Sequence, residues 1–234
     1  MGIFAAVAAV CDCKRQESEK IIDEFWNNSK INNSSHIDFE LFYQNHKDSI
    51  ITKESWNKYF FPQLKNEINK KESEEFWTIV FETYKDEQIK YLILSLLILC
   101  GGKTNTGVQA SFKKLIFYIS LNNVDNRETT KNTVKTIKKQ ILLEILKVYT
   151  HIVTYLSLEF LKRIESDDRF NRIGELKLKY SNDNQNDFVN KLLYDCQENV
   201  DIDDFFTKNT KSLNNKNVRE EIHQIYINKF RQNQ

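Results

Sequence analysis

Apolar residues recur at intervals of three and four along most of this chain, the spacing that puts them on one face of a helix. Phe76, Ile79, Val80, Phe81 and Tyr84 form one such run, and Ile89, Leu92, Ile93, Leu96, Leu97 and Leu99 form the next. Only Lys85-Asp86-Glu87-Gln88 separates them, and Gly101-Gly102 ends the second. Phe112, Leu115, Ile116 and Ile119 continue as another helical face. The spacing therefore predicts helix, short break, nearly all-apolar helix, glycine stop and helix, with Leu96 and Phe112 buried.

The same spacing predicts helices elsewhere. Ile21, Ile22, Phe25 and Trp26 mark one over 17–27. Trp56, Tyr59, Phe60 and Phe61 mark a short aromatic one that stops before Pro62, because the residue preceding proline is pushed out of helical geometry. Ile51-Thr52-Lys53-Glu54 is a capping box only if shifted by one residue. The longest pattern covers 133–165, from Val134 through Ile164, and is either one spine or two helices meeting near Thr150-His151. Polar residues fill 166–187, which reads as an exposed loop and a sub-domain break. Phe188, Val189, Leu192 and Leu193, and later Val218, Ile222, Ile225, Tyr226 and Phe230, complete the helical set.

Composition narrows the class. One proline and five glycines in 234 residues are too few turn formers for a sandwich or a set of hairpins, so the chain is expected to be all-α. Lys and Arg number 34 against 33 Asp and Glu, a net charge of +1 that gives no field selecting nucleic acid. The four cysteines are Cys11, Cys13, Cys100 and Cys196, too scattered for a disulfide framework and suited to a reducing, cytoplasmic setting. No nucleotide, zinc-protease or nucleophile-elbow motif occurs, so neither an enzyme, a small-molecule substrate nor a cofactor is expected. His151 reads as a core histidine, since no second ligand is spaced to help it bind a metal.

The first residues, MGIFAAVAAV, lack the basic start of a secretory signal. Met-Gly followed by Cys11, Cys13, Lys14 and Arg15 resembles an N-myristoylation start with neighbouring palmitoylation cysteines, although Ala6 stands where Ser or Thr is usual. Gly2, Cys11 and Cys13 are the lipidation candidates, and the alternative is an apolar segment docked in a groove. Residues 1–16 are thus expected to form an attachment segment, 17–165 a helical domain and 166–234 a C-terminal helical subdomain.

Four segments resemble EF-hand loops that have lost their ligands. A calcium loop needs early carboxylates, glycine at its sixth place and a bidentate Glu at its twelfth. With Ile37 eighth, the first segment places Lys30 first and Leu41 twelfth. The second has shrunk to Lys85-Gln88. The third, Ser120 to Lys131, holds Val124 fifth and Lys131 last. The fourth runs from Asp195 to Phe206 with Ile202 eighth, and Val200 and Phe206 stand where Gly and Glu are needed.

The order of these units and the Gly-Gly link resemble the layout of neuronal calcium sensors and calcineurin-B-like proteins. The Met-Gly start and the segment Leu94 to Tyr149 resemble the N-terminal half of the lysosome-associated TLDc-domain proteins, without room for a TLDc domain after Phe230. The resemblance implies paired EF-hand-like helix-loop-helix units with degenerate loops, plus a long helix. It implies a calcium-independent adaptor or structural subunit that binds a partner helix or a large complex. The place it implies is peripheral to a membrane or at a vacuolar complex, and the neutral charge and aromatic content fit equally well a building block of a large assembly such as a cilium or an organellar membrane complex. The alternative is a regulatory calcium sensor with one weak site at 195–206.

Overall fold

Helices form where the apolar spacing runs unbroken. The computed structural model describes residues 22, 39–46, 51–60, 70–86, 89–100, 112, 113, 116, 135–164 and 177–232. Gly2, Cys11 and Cys13, with the rest of the 1–16 segment, lie outside the described residues, as does the 120–131 loop.

The first helices are α1 (Phe39–His46) and α2 (Lys53–Phe60). The Thr52 hydroxyl accepts the Ser55 backbone N–H at 3.2 Å, so Thr52 caps α2 and satisfies one of its first orphan donors. Trp56 is fully buried, and its indole N–H donates to the Trp77 carbonyl at 3.1 Å, fastening α2 to α3 (Lys70–Tyr84). The break between α3 and α4 (Ile89–Cys100) falls where the spacing predicts it, at Tyr84 and Ile89. Every residue from Leu92 to Leu99 is buried, which suits a helix apolar on all sides. α4 lies between α1 and the longest helical run.

That run is the spine. It comprises α5 (Lys139–His151), a π-turn (Ile152–Leu156) and α6 (Ser157–Ile164). The backbone stays in right-handed helical geometry at the joints, with Ile152 at φ −62° and ψ −49° and Ser157 at φ −60° and ψ −37°. The π-turn begins one residue beyond the expected meeting point. Buried hydroxyls crowd it: Thr150 donates to the Leu146 carbonyl at 2.6 Å, Thr154 to Thr150 at 2.7 Å, and Ser157 to Ile152 at 3.1 Å. The last of these spans five residues, matching the wider turn. Other described elements gather on the spine: α4 packs on α5, as does α7 (Asn182–Leu192) from the C-terminal part, and α3 packs on α6 and the π-turn. Phe76 meets Phe160 edge-on at 5.8 Å.

The helix starts at Lys139 instead of residue 133 because Thr136–Lys138 is extended as β1, with Ile137 turned inward. The C-terminal part contains α7 (Asn182–Leu192), β2 (Asn199–Asp201), α8 (Ile202–Asn209) and α9 (Asn215–Gln232). β1 and β2 make a two-stranded antiparallel sheet, and helices account for nearly all the other described elements.

One expectation is corrected here. Residues 182–187, read from their polarity as exposed loop, form the first turns of α7. Ser181 caps the helix by accepting the Asn184 N–H, and Asn184 and Gln185 are buried. Their amides donate to carbonyls of the preceding turn: Asn184 to Leu178 at 3.2 Å and Lys179 at 3.0 Å, Gln185 to Tyr180 at 2.7 Å. Polarity at these positions serves the interior, since buried carbonyls need donors. Buried side chains on both sides of residue 166 belong to one apolar cluster.

Candidate functional site

The strand pair is where distant parts of the chain are locked in register. Thr136 faces Asp201, Ile137 faces Val200 and Lys138 faces Asn199. Ile137 and Val200 are buried, so the sheet points its two central β-branched residues into the core. Two backbone bonds extend the ladder, Lys139 N–H to the Glu198 carbonyl at 2.8 Å and Ile202 N–H to the Lys135 carbonyl at 2.9 Å. Each strand runs straight into a helix, α5 at Lys139 and α8 at Ile202. The unit is completed by α7, which precedes β2 and packs on α5, and by Phe112, whose ring meets Phe206 at 5.0 Å. Leu96 and Phe112 are both fully buried.

The register differs from the expected one. The sequence pattern of Asp195 to Phe206 puts Ile202 at the extended eighth place. Ile202 is instead the first residue of α8, and the strand centre is Val200. Val200 has the buried partner across the sheet, and helix α8 is set by Asp201, whose carboxylate accepts the Asp204 N–H at 3.0 Å. The opposing strand is centred on Ile137, beyond the Ser120–Lys131 segment.

Three ammonium groups lie against this unit. Lys139 Nζ donates to the Cys196 carbonyl at 3.1 Å. Lys208 pairs with Asp195 at 3.4 Å, and Lys113 pairs with Asp203. Among the described residues no three His, Cys, Asp or Glu side chains converge as a metal-binding group.

Two histidines have defined chemistry. Half-buried His151 shares a 2.6 Å hydrogen bond with the Tyr84 hydroxyl, its ring stacks on Tyr155 at 5.2 Å, and burial lowers its pKa to about 4. It is a neutral core histidine, as its apolar surroundings in sequence suggest. Tyr84, 67 positions away, carries no signal of this partnership in the sequence. His46 Nδ1 lies 2.7 Å from the Phe42 carbonyl. A carbonyl only accepts, so Nδ1 carries the proton and Nε2 accepts from the Ser55 hydroxyl. The Phe42 contact stays within α1, and the Ser55 contact ties the end of α1 to the start of α2.

Burial also raises the Tyr149 phenol well above its ordinary pKa, opposed by the positive charge of Arg219. Its hydroxyl donates to the Leu213 carbonyl, fixing the α8–α9 connection on the spine. Lys139–Phe160, 22 residues long, contains an 18-residue window of mean hydropathy 1.4, long and apolar enough to cross a membrane. Most of that stretch is covered by neighbouring helices, as in a core helix. No family model matches the sequence, and no curated protein or solved structure matches it.

Proposed function

We propose that the chain is a calcium-independent, EF-hand-like adaptor or structural subunit without catalytic activity. The observation that carries this reading is the pairing of Ile137 with Val200, each in a three-residue strand that leads directly into a helix. In paired EF-hands the β-branched residue at the eighth loop place makes this contact with its counterpart in the neighbouring loop. Counting from Val200 puts Leu193 first, Asp195 third, Gln197 fifth, Asp201 ninth and Asp204 twelfth. Counting from Ile137 puts Thr130 first and Ile141 twelfth. Leu193 and Ile141 carry no side-chain oxygen, and Asp204 is one carbon shorter than the Glu that reaches both coordination positions.

The lysines argue in the same direction. Lys208 brings positive charge to Asp195, the third place of this register, and Lys139 Nζ holds the neighbouring Cys196 carbonyl. The rival reading is a calcium sensor with one weak site at 195–206, and in the shifted register the acids that favour it are Asp195, Asp201 and Asp204. Calorimetry with calcium, read beside Trp and Tyr fluorescence, separates them. Binding tighter than about 10⁻⁵ M, with a fluorescence change, moves the protein into the sensor class.

The partner side of the proposal is a protein helix or a larger assembly, reached through the N-terminal segment at a membrane or organellar complex in the cytoplasm. Gly2 would carry myristate and Cys11 or Cys13 palmitate, because one acyl chain alone binds only marginally. Deleting residues 2–13 should release the protein from its membrane or complex. Gly2→Ala releases it only if lipid is the link, and unchanged fractionation of the deletion removes the attachment proposal.

A further inference from the structure

The turn joining α7 to α8 is acidic. Asp195, Glu198 and Asp201 lie in it, and Asp203 and Asp204 open α8. Acids in the first turn of a helix are favoured by its dipole. Asp201 belongs with them, since its carboxylate accepts the Asp204 N–H as the cap of α8. Lys208 and Asp195 are both largely exposed, so that pair contributes little. Lys113 reaches Asp203, at the helix end of the unit. Lys139 stands apart: it is half-buried, is the first residue of α5, and sends its ammonium to a backbone carbonyl in the middle of the turn.

We propose that Lys139 is the built-in cation of this turn, holding α7, β2 and α8 in one arrangement with no dissociable ion. The proposal rests on the paired-loop reading above and deepens it, by saying how the unit keeps its shape. Lys139 contacts the turn twice, through its backbone N–H on the Glu198 carbonyl and its Nζ on the Cys196 carbonyl. Calcium loops are likewise closed on carbonyl and carboxylate oxygens, but by an ion that exchanges with solvent. A tethered ammonium offers three donors and cannot diffuse away. The geometry of the unit is therefore independent of divalent-cation concentration, and the surface it presents to a partner is permanent.

Amide hydrogen exchange on the full chain tests this, using the Cys196 and Ile202 amides as reporters and those of Leu92 to Leu99 in α4 as the control for global folding. In the native sequence the reporters should exchange equally in calcium and in chelator. In Lys139→Met they should exchange faster by about ten-fold or more, the loss expected for a charge-assisted hydrogen bond, with the α4 amides unchanged. Lys139→Arg, which keeps the charge and donors, should retain most of the protection. The proposal is overturned by native-like exchange in Lys139→Met, by equally fast exchange in the Arg variant, or by calcium-dependent protection of the native chain.

Should the Met variant lose its fold, the native protein still decides. A through-hydrogen-bond coupling between Lys139 Nζ and the Cys196 carbonyl carbon supports the contact, and its absence at low temperature refutes it. Failure of the paired-loop reading looks different, because the cross-strand proton contact between Ile137 and Val200 would then be missing.

Discussion

Tyr84 and His151 meet through a 2.6 Å hydrogen bond that joins the end of α3 to the end of α5. The imidazole is held neutral there, with its pKa lowered by burial to about 4. In the unfolded chain it returns to an ordinary value near 6.5. Below that value the unfolded state binds the proton first, so protonation favours unfolding. The contribution of neutral His151 is complete above about pH 6.5 and is lost as the pH falls towards about 4. The native protein should therefore be less stable at pH 5 than at pH 8 by a term on the order of 1–2 kcal/mol from this residue. Urea denaturation of the native chain and of His151→Gln at both pH values isolates it: the Gln variant should show a smaller difference between the two. An equal pH dependence in both proteins refutes the assignment.

Leu96 is fully buried in the middle of α4, beside Ser95, whose hydroxyl is 2.7 Å from the Ile145 carbonyl on the spine. Leu96→Ala should destabilise by about 2–5 kcal/mol, since transfer energy and a cavity add. A loss under about 0.5 kcal/mol in denaturant titration would show that α4 is not a core element.

The two faces of β2 should respond unequally. Val200 is buried and Asn199 is exposed. Val200→Asp places an unpaired charge in the interior and should cost about 3 kcal/mol or more. Asn199→Asp should stay within about 0.5 kcal/mol of the native protein. Equal effects at the two positions would mean that the strand is not pleated against the core as described.

Gln185→Ala removes the donor that satisfies the Tyr180 carbonyl at 2.7 Å in a buried turn. The expected cost is about 1–3 kcal/mol, the penalty for leaving a buried acceptor without a partner. A neutral substitution, measured by thermal or urea unfolding, would place Gln185 at the surface.

The apolar spacing was enough to locate α3, α4 and most of the spine, because three-and-four periodicity reports directly on a buried helical face. It could not reveal β1. A three-residue strand has only one inward residue, Ile137, and that residue also fits the helical spacing running on to Ile141. Nor could it find α7's first turns, where Asn184 and Gln185 are polar because of the carbonyls they satisfy. The strand register was missed for a related reason. Val200 and Ile202 both suit an extended inward position, and only the opposing Ile137 decides between them. The lysine contacts depend on tertiary proximity: Lys139 and Cys196 are 57 positions apart.

That separation has a consequence for the order of folding. α5, the π-turn and α6 make mainly local backbone contacts, and helix of this kind forms on a timescale of roughly a microsecond. The strand pair requires β1 to find β2 across the whole spine and α7, and a two-stranded sheet this short has no stability by itself. Its closure is therefore expected after the main barrier, which refolding and unfolding rates of variants would test. Substitutions at Val200 or Lys139 should leave the refolding rate nearly unchanged and appear as faster unfolding. The strand pair would then act as a latch: it contributes little to how quickly the chain reaches its fold and much to how long the fold persists.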